Sequence, residues 1–219
     1  TSLIVDRMKK AMMLSGPQFL GIQESKSILS WLEHNQPELV QELQRIMPLS
    51  RFSAVLQRLA SAGVPLRAVR LIVESLIEYG QHEREPEALA DYARIALKAQ
   101  IYHQYSEADG LHAWLLSPQS ENILREALRQ TQTGVFFALD ENHSAAFISL
   151  LNQAFVLRAK RKSVMLVAQD LRSPLRTLLL EEFNHVPVLS FAELGSTSKV
   201  KVLGRIDLGQ EALMRGAAA

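Results

Sequence analysis

The sequence predicts an α+β protein: an all-helical, winged-helix-like subdomain followed by a small α/β subdomain with a mixed sheet. Up to about residue 105, apolar residues recur every three or four positions, which is the period of an amphipathic helix. Beyond Gly110, short β-rich runs alternate with helical segments. The chain has 219 residues, of which 47% are hydrophobic and 21% charged. It is therefore long enough to bury a core and too hydrophobic to be disordered.

The helical part is divided by strong breakers. Glycine and proline interrupt the periodic pattern at Gly16-Pro17, at Pro37, at Pro48, at Gly63 and between residues 80 and 86. The pattern between them predicts helices near 3–14, 24–34, 37–47, 52–59, 66–79 and 87–105. In the helix at 66–79, we expect Leu66, Val69, Val73, Leu76 and Ile77 to face inward.

The second part mixes both periods. Helices are predicted at 121–130 and 143–158, and a third is predicted to begin at Ser173-Pro174. Buried strands are predicted at 164–168 and 186–190, and the alternating run at 199–206 predicts an edge strand. A strand, a helix and a second strand in succession predict a parallel pair with a right-handed crossover. The expected divisions are 1–35, 36–109, 110–208 and a tail at 209–219 that is partly cloning-derived.

Charge and composition exclude several classes of function. Lys and Arg number 24 against 23 Asp and Glu, so the net charge of +1 provides no overall field for nucleic acid or anionic membranes. The absence of cysteine excludes disulfides, thiolate metal sites and cysteine nucleophiles. No run approaches the roughly 20 apolar residues of a membrane helix, and the first residues lack a signal-peptide layout. We interpret the chain as a piece of a longer protein.

No catalytic motif is present. The ten glycines form neither a dinucleotide-binding nor a P-loop pattern, and neither the G-x-S-x-G nor the H-E-x-x-H motif occurs. We therefore predict a protein that is not an enzyme and has no cofactor and no metal. The histidines have no metal-ligand spacing and are each interpreted as surface or boundary residues: His34, His82, His103, His112, His143 and His185.

Asp170 leaves one enzymatic alternative open. It follows a predicted buried strand, where open α/β sheets place their ligands. A small hydrolase that uses Asp170 would need a closed polar pocket around it. We favour the simpler interpretation that Asp170 is a loop carboxylate paired with Arg172 or Arg176.

Residues 53–67 have the pattern of a helix-turn-helix, in which Arg67 and Arg70 would reach DNA bases. However, residues 1–110 contain 12 basic and 13 acidic residues, and Glu74 and Glu78 follow Arg70 on the same side of the helix. Those carboxylates would repel a phosphate backbone. A protein-contact helix is therefore favoured, with these four side chains as candidate subunit-interface residues. A winged-helix-like nucleic-acid-binding regulator remains the alternative.

The only dense basic run comprises Arg158, Lys160, Arg161 and Lys162. Its simpler interpretation is a solvated helix end, where cations complement the negative end of the helix dipole. The same run is also a candidate binding site for an acidic partner, so its residues are the candidate partner-binding residues.

Eight blocks of sequence together resemble the cytoplasmic half of the FHIPEP family, the export-gate proteins of flagellar and virulence type III secretion systems. They occur in unbroken order between residues 10 and 206: FLGIQESK at 19–26, PELVQEL at 37–43, VLQRL at 55–59, VPLR at 64–67, IVESL at 72–76, YARIAL at 92–97, REALRQT at 125–131 and VPVLSFAEL at 186–194. The REALRQT block resembles the virulence branch more than the flagellar one.

The resemblance implies a bacterial inner-membrane protein whose cytoplasmic part has four subdomains and assembles into a nonameric ring. That part receives secretion chaperones, export substrates, and gatekeeper and stalk proteins. Residues 1–35 would then be the returning end of the first subdomain, 36–109 the third, ring-forming subdomain, and 110–208 the fourth. The family residues that line the chaperone cleft fall near Asp6, where this sequence does not match, so none is assigned. The membrane would be reached only through parts outside this chain.

Overall fold

A computed structural model of the chain describes residues 20–131, 134–157, 162–180 and 182–209. The chain divides into two compact units, which comprise residues 1–101 (unit 1) and 102–219 (unit 2). This division falls inside a helix and precedes the expected start of the second subdomain at residue 110. The predicted helix at 3–14 and most of the tail lie outside the described residues.

Unit 1 is built from helices in the described residues 20–101. In chain order they are α1 (Ile22–Glu33), α2 (Pro37–Ile46), α3 (Leu49–Ser61), α4 (Val69–Tyr79) and α5 (Pro86–Ala96), while α6 (Lys98–Tyr105) crosses the division between the units. A 3₁₀ turn, Leu66–Ala68, precedes α4. Since residues 20–101 contain no strand, the winged-helix likeness is limited to the helix-turn-helix formed by α3 and α4.

The core of unit 1 lies where α5 packs on both α3 and α4. Its fully buried side chains repeat at helical spacing: Phe52, Val55, Leu56, Leu59, Ile72, Val73, Leu76, Leu89 and Ala93. Gly63 allows the tight turn between α3 and α4, because its φ of 70° is one that residues with a Cβ rarely adopt. Helix α1 buries Leu29 and Leu32 and contacts α2 and α3, so it packs within this unit although it falls in the range 1–35.

The predicted long helix at 87–105 is interrupted. Helix α5 ends at Ala96 and α6 begins at Lys98, because Leu97 forms a turn whose side chain is completely buried. Tyr92 of α5 lies at the surface. It is partly exposed and stacks on Tyr79, with the ring centroids 4.1 Å apart and the planes 2° from parallel. Of the two tryptophans, Trp31 of unit 1 is 63% exposed.

Unit 2 contains two β-sheets and the helices between their strands. The elements in chain order are β1 (Leu111–Leu116), α7 (Pro118–Ala127), β2 (Leu128–Thr131), β3 (Gly134–Phe137), α8 (Glu141–Leu151), β4 (Val164–Val167), α9 (Gln169–Leu179), β5 (Val188–Ser190) and β6 (Val200–Ile206). Four strands form a sheet in the order β5-β4-β1-β6, in which every neighbouring pair is parallel. A separate antiparallel hairpin pairs β2 with β3. The α+β class is thus confirmed, with the parallel and antiparallel pairs in different sheets.

Helices pack against the sheet of unit 2 and enclose its core. Trp114 and Met165 of the sheet join Leu124, Phe147 and Leu175 of the helices in one buried cluster.

The parallel strand–helix–strand unit is confirmed as β4, α9 and β5. Helix α9 begins earlier than predicted, at Gln169, so Pro174 lies inside the helix. The helix predicted at 121–130 ends at Ala127, because residues 128–131 pair with residues 134–137.

The hydroxyl of Ser120 connects α7 to the end of β6. It donates to the carbonyl of Ile206 at 3.0 Å and accepts from the backbone N–H of Leu208 at 2.8 Å. It also lies 2.8 Å from the hydroxyl of Ser117, the N-cap residue of α7. Ser120 is completely buried, so water does not replace these bonds.

Ion pairs connect elements of unit 2. Asp170 accepts from Nε of Arg125 at 2.7 Å and from its Nη2 at 3.4 Å, which joins α9 to α7. The expected partners, Arg172 and Arg176, are therefore wrong. Arg172 instead lies 3.6 Å from Glu193 with both side chains buried, and Arg176 donates to backbone carbonyls of residues 184 and 186.

Replacing Ser120 by alanine tests the connection between α7 and β6. We expect Ser120→Ala to lower the free energy of unfolding by about 1–3 kcal/mol, because it leaves the buried Leu208 N–H without its acceptor. Urea unfolding measures the change. Thr177→Ala is the matched control, since the exposed Thr177 hydroxyl bonds only within α9 and its loss is expected to have little effect. Equal losses for the two variants would contradict this account.

Replacing Asp170 by asparagine tests the ion pair with Arg125. The hydrogen bond from Arg125 and its charge lower the pKa of Asp170 in the folded protein. The pair therefore stabilises the fold above the unfolded carboxyl pKa of about 3.9, and this contribution is lost as pH falls through the lower folded pKa. Because both side chains are partly exposed, we expect Asp170→Asn to reduce stability at pH 7 by only about 0–1 kcal/mol.

The measurement for Asp170 is urea unfolding at pH 7 and at pH 2, combined with Arg125→Gln in a double-mutant cycle. A loss for Asp170→Asn that is as large at pH 2 as at pH 7 would show that the ion pair is not its cause.

Candidate functional site

The predicted interface residues lie along one face of α4 and the turn before it. Arg67 is in the 3₁₀ turn, and Arg67, Arg70 and Glu78 are exposed. Nε of Arg70 donates to Oε1 of Glu74 at 2.7 Å, one helical turn along. No ion pair within the described part of the chain includes Arg67 or Glu78. The structure thus joins two of the four side chains and leaves one cation and one anion at the ends of the row.

The opposite side of α4 holds the helix in place. Val69, Val73 and Leu76 are buried as predicted, and Ile72 is buried as well, whereas Leu66 and Ile77 are only half-buried. Because this apolar stripe packs α4 against α5 and α2, the charged row is not needed for that packing. We refer to Arg67, Arg70, Glu74 and Glu78 as the α4 charged row.

The α4 charged row is poorly suited to DNA. In a helix-turn-helix, the second helix enters the major groove with its basic side chains directed at bases and phosphates. Here the Arg70 guanidinium is already bonded to Glu74, and two carboxylates share the row with two guanidinium groups. The row has no net charge, so it offers no electrostatic attraction for phosphate.

The basic run is described only at its last residue. Arg158, Lys160 and Arg161 lie outside the described residues. Lys162 is exposed, and its backbone N–H donates to Oε1 of Glu107 at 3.2 Å. A short π-helix, Asn152–Leu157, precedes the run. Lys162 also lines a pocket of about 390 Å³ with aromatic side chains of Tyr105 and Phe155.

One cluster of ionisable groups was not predicted from the sequence. His112 of β1 is only 2% exposed, so its interpretation as a surface or boundary residue is wrong. Its Nε2 lies 3.4 Å from Oδ2 of Asp109, and its Nδ1 lies 3.9 Å from Oε2 of Glu107. The sequence does contain a signal for this cluster, which is the short spacing of Glu107, Asp109 and His112. It places two carboxylates just before an inward-facing residue of β1.

These three side chains are of the type that binds divalent cations, and one ligand atom from each lies within 4.8 Å of the others. A positive charge is already present, because the ammonium of Lys201 donates to Oδ2 of Asp109 at 2.7 Å. The cluster therefore functions as a charge network that ties β6 to the turn before β1. Asp170, the other candidate for chemistry, is bonded to Arg125.

None of the helices in residues 20–131, 134–157, 162–180 and 182–209 is long and apolar enough to cross a membrane. A model of the FHIPEP family matches residues 1–199 of the chain. Among curated proteins, the chain is similar to the hypersensitivity response secretion protein HrpI of Pseudomonas syringae pv. syringae, with 62% identity over 208 residues. The match covers 95% of this chain and 30% of HrpI, so the chain spans under a third of that relative.

Solved structures show the same architecture. The nonameric EscV cytosolic domain from the type III secretion system is 34% identical, with a TM-score of 0.80 over 93% of this chain and 61% of that one. The Chlamydia pneumoniae CdsV protein in complex with CdsO is 30% identical, with a TM-score of 0.81 over 94% of this chain and 61% of that one. The chain therefore belongs to the FHIPEP family of type III secretion export-gate proteins, on the virulence branch.

Proposed function

We propose that the chain is part of a ring-forming docking scaffold on the cytoplasmic side of a bacterial inner-membrane export gate. The observation that carries this proposal is the α4 charged row, a set of exposed charges that folding does not need, on a chain similar to a nonameric domain. The scaffold has no chemistry of its own: it requires no catalytic group, cofactor or metal.

The α4 charged row fits a contact between neighbouring subunits. A closed ring requires a heterologous interface, in which two different surfaces of each subunit meet and the rotation between copies closes. Charges across such an interface determine register and exclude wrong pairings more than they add affinity. The mixed signs of the row serve this purpose, because a displaced neighbour would place like charges together.

The subdomain assignment follows from the same proposal. Residues 36–109 form the ring-forming third subdomain, residues 110–208 form the fourth, residues 1–35 end the first, and residues 209–219 are a tail. In the whole protein, further parts anchor the assembly in the inner membrane. One subdomain contact is small, so the chain alone is monomeric or weakly associating.

The partners proposed for the scaffold are secretion chaperones with their export substrates, the gatekeeper and the stalk protein. The solved complex of CdsV with CdsO supports a further protein partner for the export gate. An assembly that must release each cargo suits surfaces of moderate affinity rather than large apolar interfaces. Lys162 and the basic run before it are the proposed contact for an acidic partner.

Reversing the charge of Arg70 tests the ring contact. We expect Arg70→Glu to block ring assembly of the whole protein, because it breaks the bond to Glu74 and places a third carboxylate in the α4 charged row. The helicity and melting temperature of this chain should change little. Light scattering or electron microscopy of the whole protein measures assembly.

Arg45→Glu is the matched control for Arg70→Glu. Arg45 also forms an ion pair within its own helix, with Glu42, but it lies on α2 and not in the α4 charged row. This variant should assemble normally. If Arg70→Glu also forms normal rings, the row is merely solvated and the subunit contact lies elsewhere in unit 1.

The nucleic-acid alternative makes a different prediction. Since the α4 charged row carries no net charge, we expect no DNA retention in a gel shift at low salt. Micromolar binding that weakens steeply as salt is raised would contradict the scaffold proposal and favour the regulator.

A further inference from the structure

Strand β6 has an edge that no other described strand of unit 2 pairs with. It occupies one end of the sheet and pairs with β1 alone among the described strands. Its neighbouring apolar side chains Val202 and Leu203 are 55% and 44% exposed. The strand at the other end of the sheet, β5, is buried at every residue. Among the described strands at the two ends of this sheet, β6 is the one that exposes apolar side chains to solvent.

This exposure is unusual for the type of sheet. All-parallel sheets are normally covered on both faces and bury their strands, whereas β6 is exposed at Lys201, Val202, Leu203 and Arg205. An exposed edge with apolar side chains is a template for a further strand. The exposed side of β6 is therefore a candidate surface for a further strand.

Contacts within unit 2 hold β6 on either side of a register shift, which skips Leu203 in the pairing of β6 with β1. At the start of β6, the Tyr102 hydroxyl accepts from the backbone N–H of Lys199 at 3.1 Å and donates to the Lys199 carbonyl at 3.2 Å. Lys201 is bonded to Asp109. Farther along, Trp114 packs against Gly204 so closely that a Cβ there would lie 2.5 Å from the indole ring. An edge restrained in this way reduces the entropy cost of adding a strand.

Charge limits what can pair with this edge. Lys199 and Arg205 flank the apolar pair, both are exposed, and no ion pair among the described residues includes them. A second copy of β6 would bring lysine and arginine close to lysine and arginine, and edge lysines are a common protection against such pairing. Carboxylates at the two ends of an incoming strand would instead complement both cations.

We propose that the free edge of β6 binds an extended acidic segment of a partner protein as an additional strand. Backbone hydrogen bonds to the edge supply general affinity, since strand addition uses main-chain groups. Val202 and Leu203 provide the apolar contact, and Lys199 and Arg205 select for carboxylates on either side. The proposal is independent of the ring contact, because β6 belongs to unit 2 and the α4 charged row to unit 1.

The test uses a short fluorescein-labelled peptide in which valine and threonine alternate between terminal aspartate and glutamate residues. We expect saturable binding to the intact chain by fluorescence anisotropy, and protection from hydrogen exchange confined to residues 199–205. A peptide with lysine in place of each acid should bind at least about tenfold more weakly. Val202→Lys and Arg205→Glu should each weaken the acidic peptide by about tenfold or more, which is about 1.4 kcal/mol.

Leu178→Lys is the matched control for Val202→Lys, because Leu178 is 40% exposed on α9 in the same unit but away from the edge. It should bind the acidic peptide normally, and thermal melting should confirm that every variant is folded.

The proposal is overturned if the acidic peptide does not bind, if the lysine peptide binds equally well, or if Leu178→Lys weakens binding as much as Val202→Lys. Self-association of the chain through the β6 edge would also overturn it. Ring assembly of the whole protein should be unchanged in Arg205→Glu, which separates this outcome from the test at Arg70.

Discussion

The carboxyl ends of the parallel strands in unit 2 lie at the same end of the sheet. Buried polar groups at this end must form hydrogen bonds or ion pairs with other protein groups, because water does not reach them. Ser120 bonds both the carbonyl of Ile206 and the N–H of Leu208, so the chain leaves the last strand at a fixed point. Beside β5, the buried Arg172 lies against the buried Glu193. Removing the partner of a buried charge lowers the stability of a fold by several kcal/mol. The side chains at this end of the sheet therefore have few alternative arrangements. These contacts join α7 to the end of β6 and α9 to the segment that follows β5.

Periodicity predicted most of the helices because it reports which face is buried. Helices α2 to α5 and the unit of β4, α9 and β5 follow from it directly. The deviations arise where tertiary contacts outweigh local preference. Leu97 breaks a helical pattern to bury its side chain, and residues 128–131 leave a helical pattern to pair as a strand. Neither partner is visible in the local sequence.

The candidate sites were predicted to a different extent. The bond between Arg70 and Glu74 follows from their spacing of four residues, because such side chains are neighbours on a helix. The partner of Asp170 does not follow, since Arg125 is 45 residues away in the sequence. The cluster around His112 was missed for a different reason: its members are close in the sequence, but the burial of His112 depends on the whole sheet. The family was identified from the order of its sequence blocks. A contact between subunits does not follow from one sequence, because it also depends on the facing surface of the neighbouring subunit.

The two tryptophans divide between the units, one to each, and this distribution has an optical consequence. Trp31 is mostly in contact with water in the folded chain, whereas Trp114 is 8% exposed and packs near Phe155 in the core of unit 2. The emission of an indole moves to longer wavelength when water reaches it. Unfolding of unit 1 therefore leaves the emission maximum almost unchanged, while unfolding of unit 2 shifts it to the red. The intrinsic fluorescence of the chain reports the integrity of one unit and is nearly silent about the other.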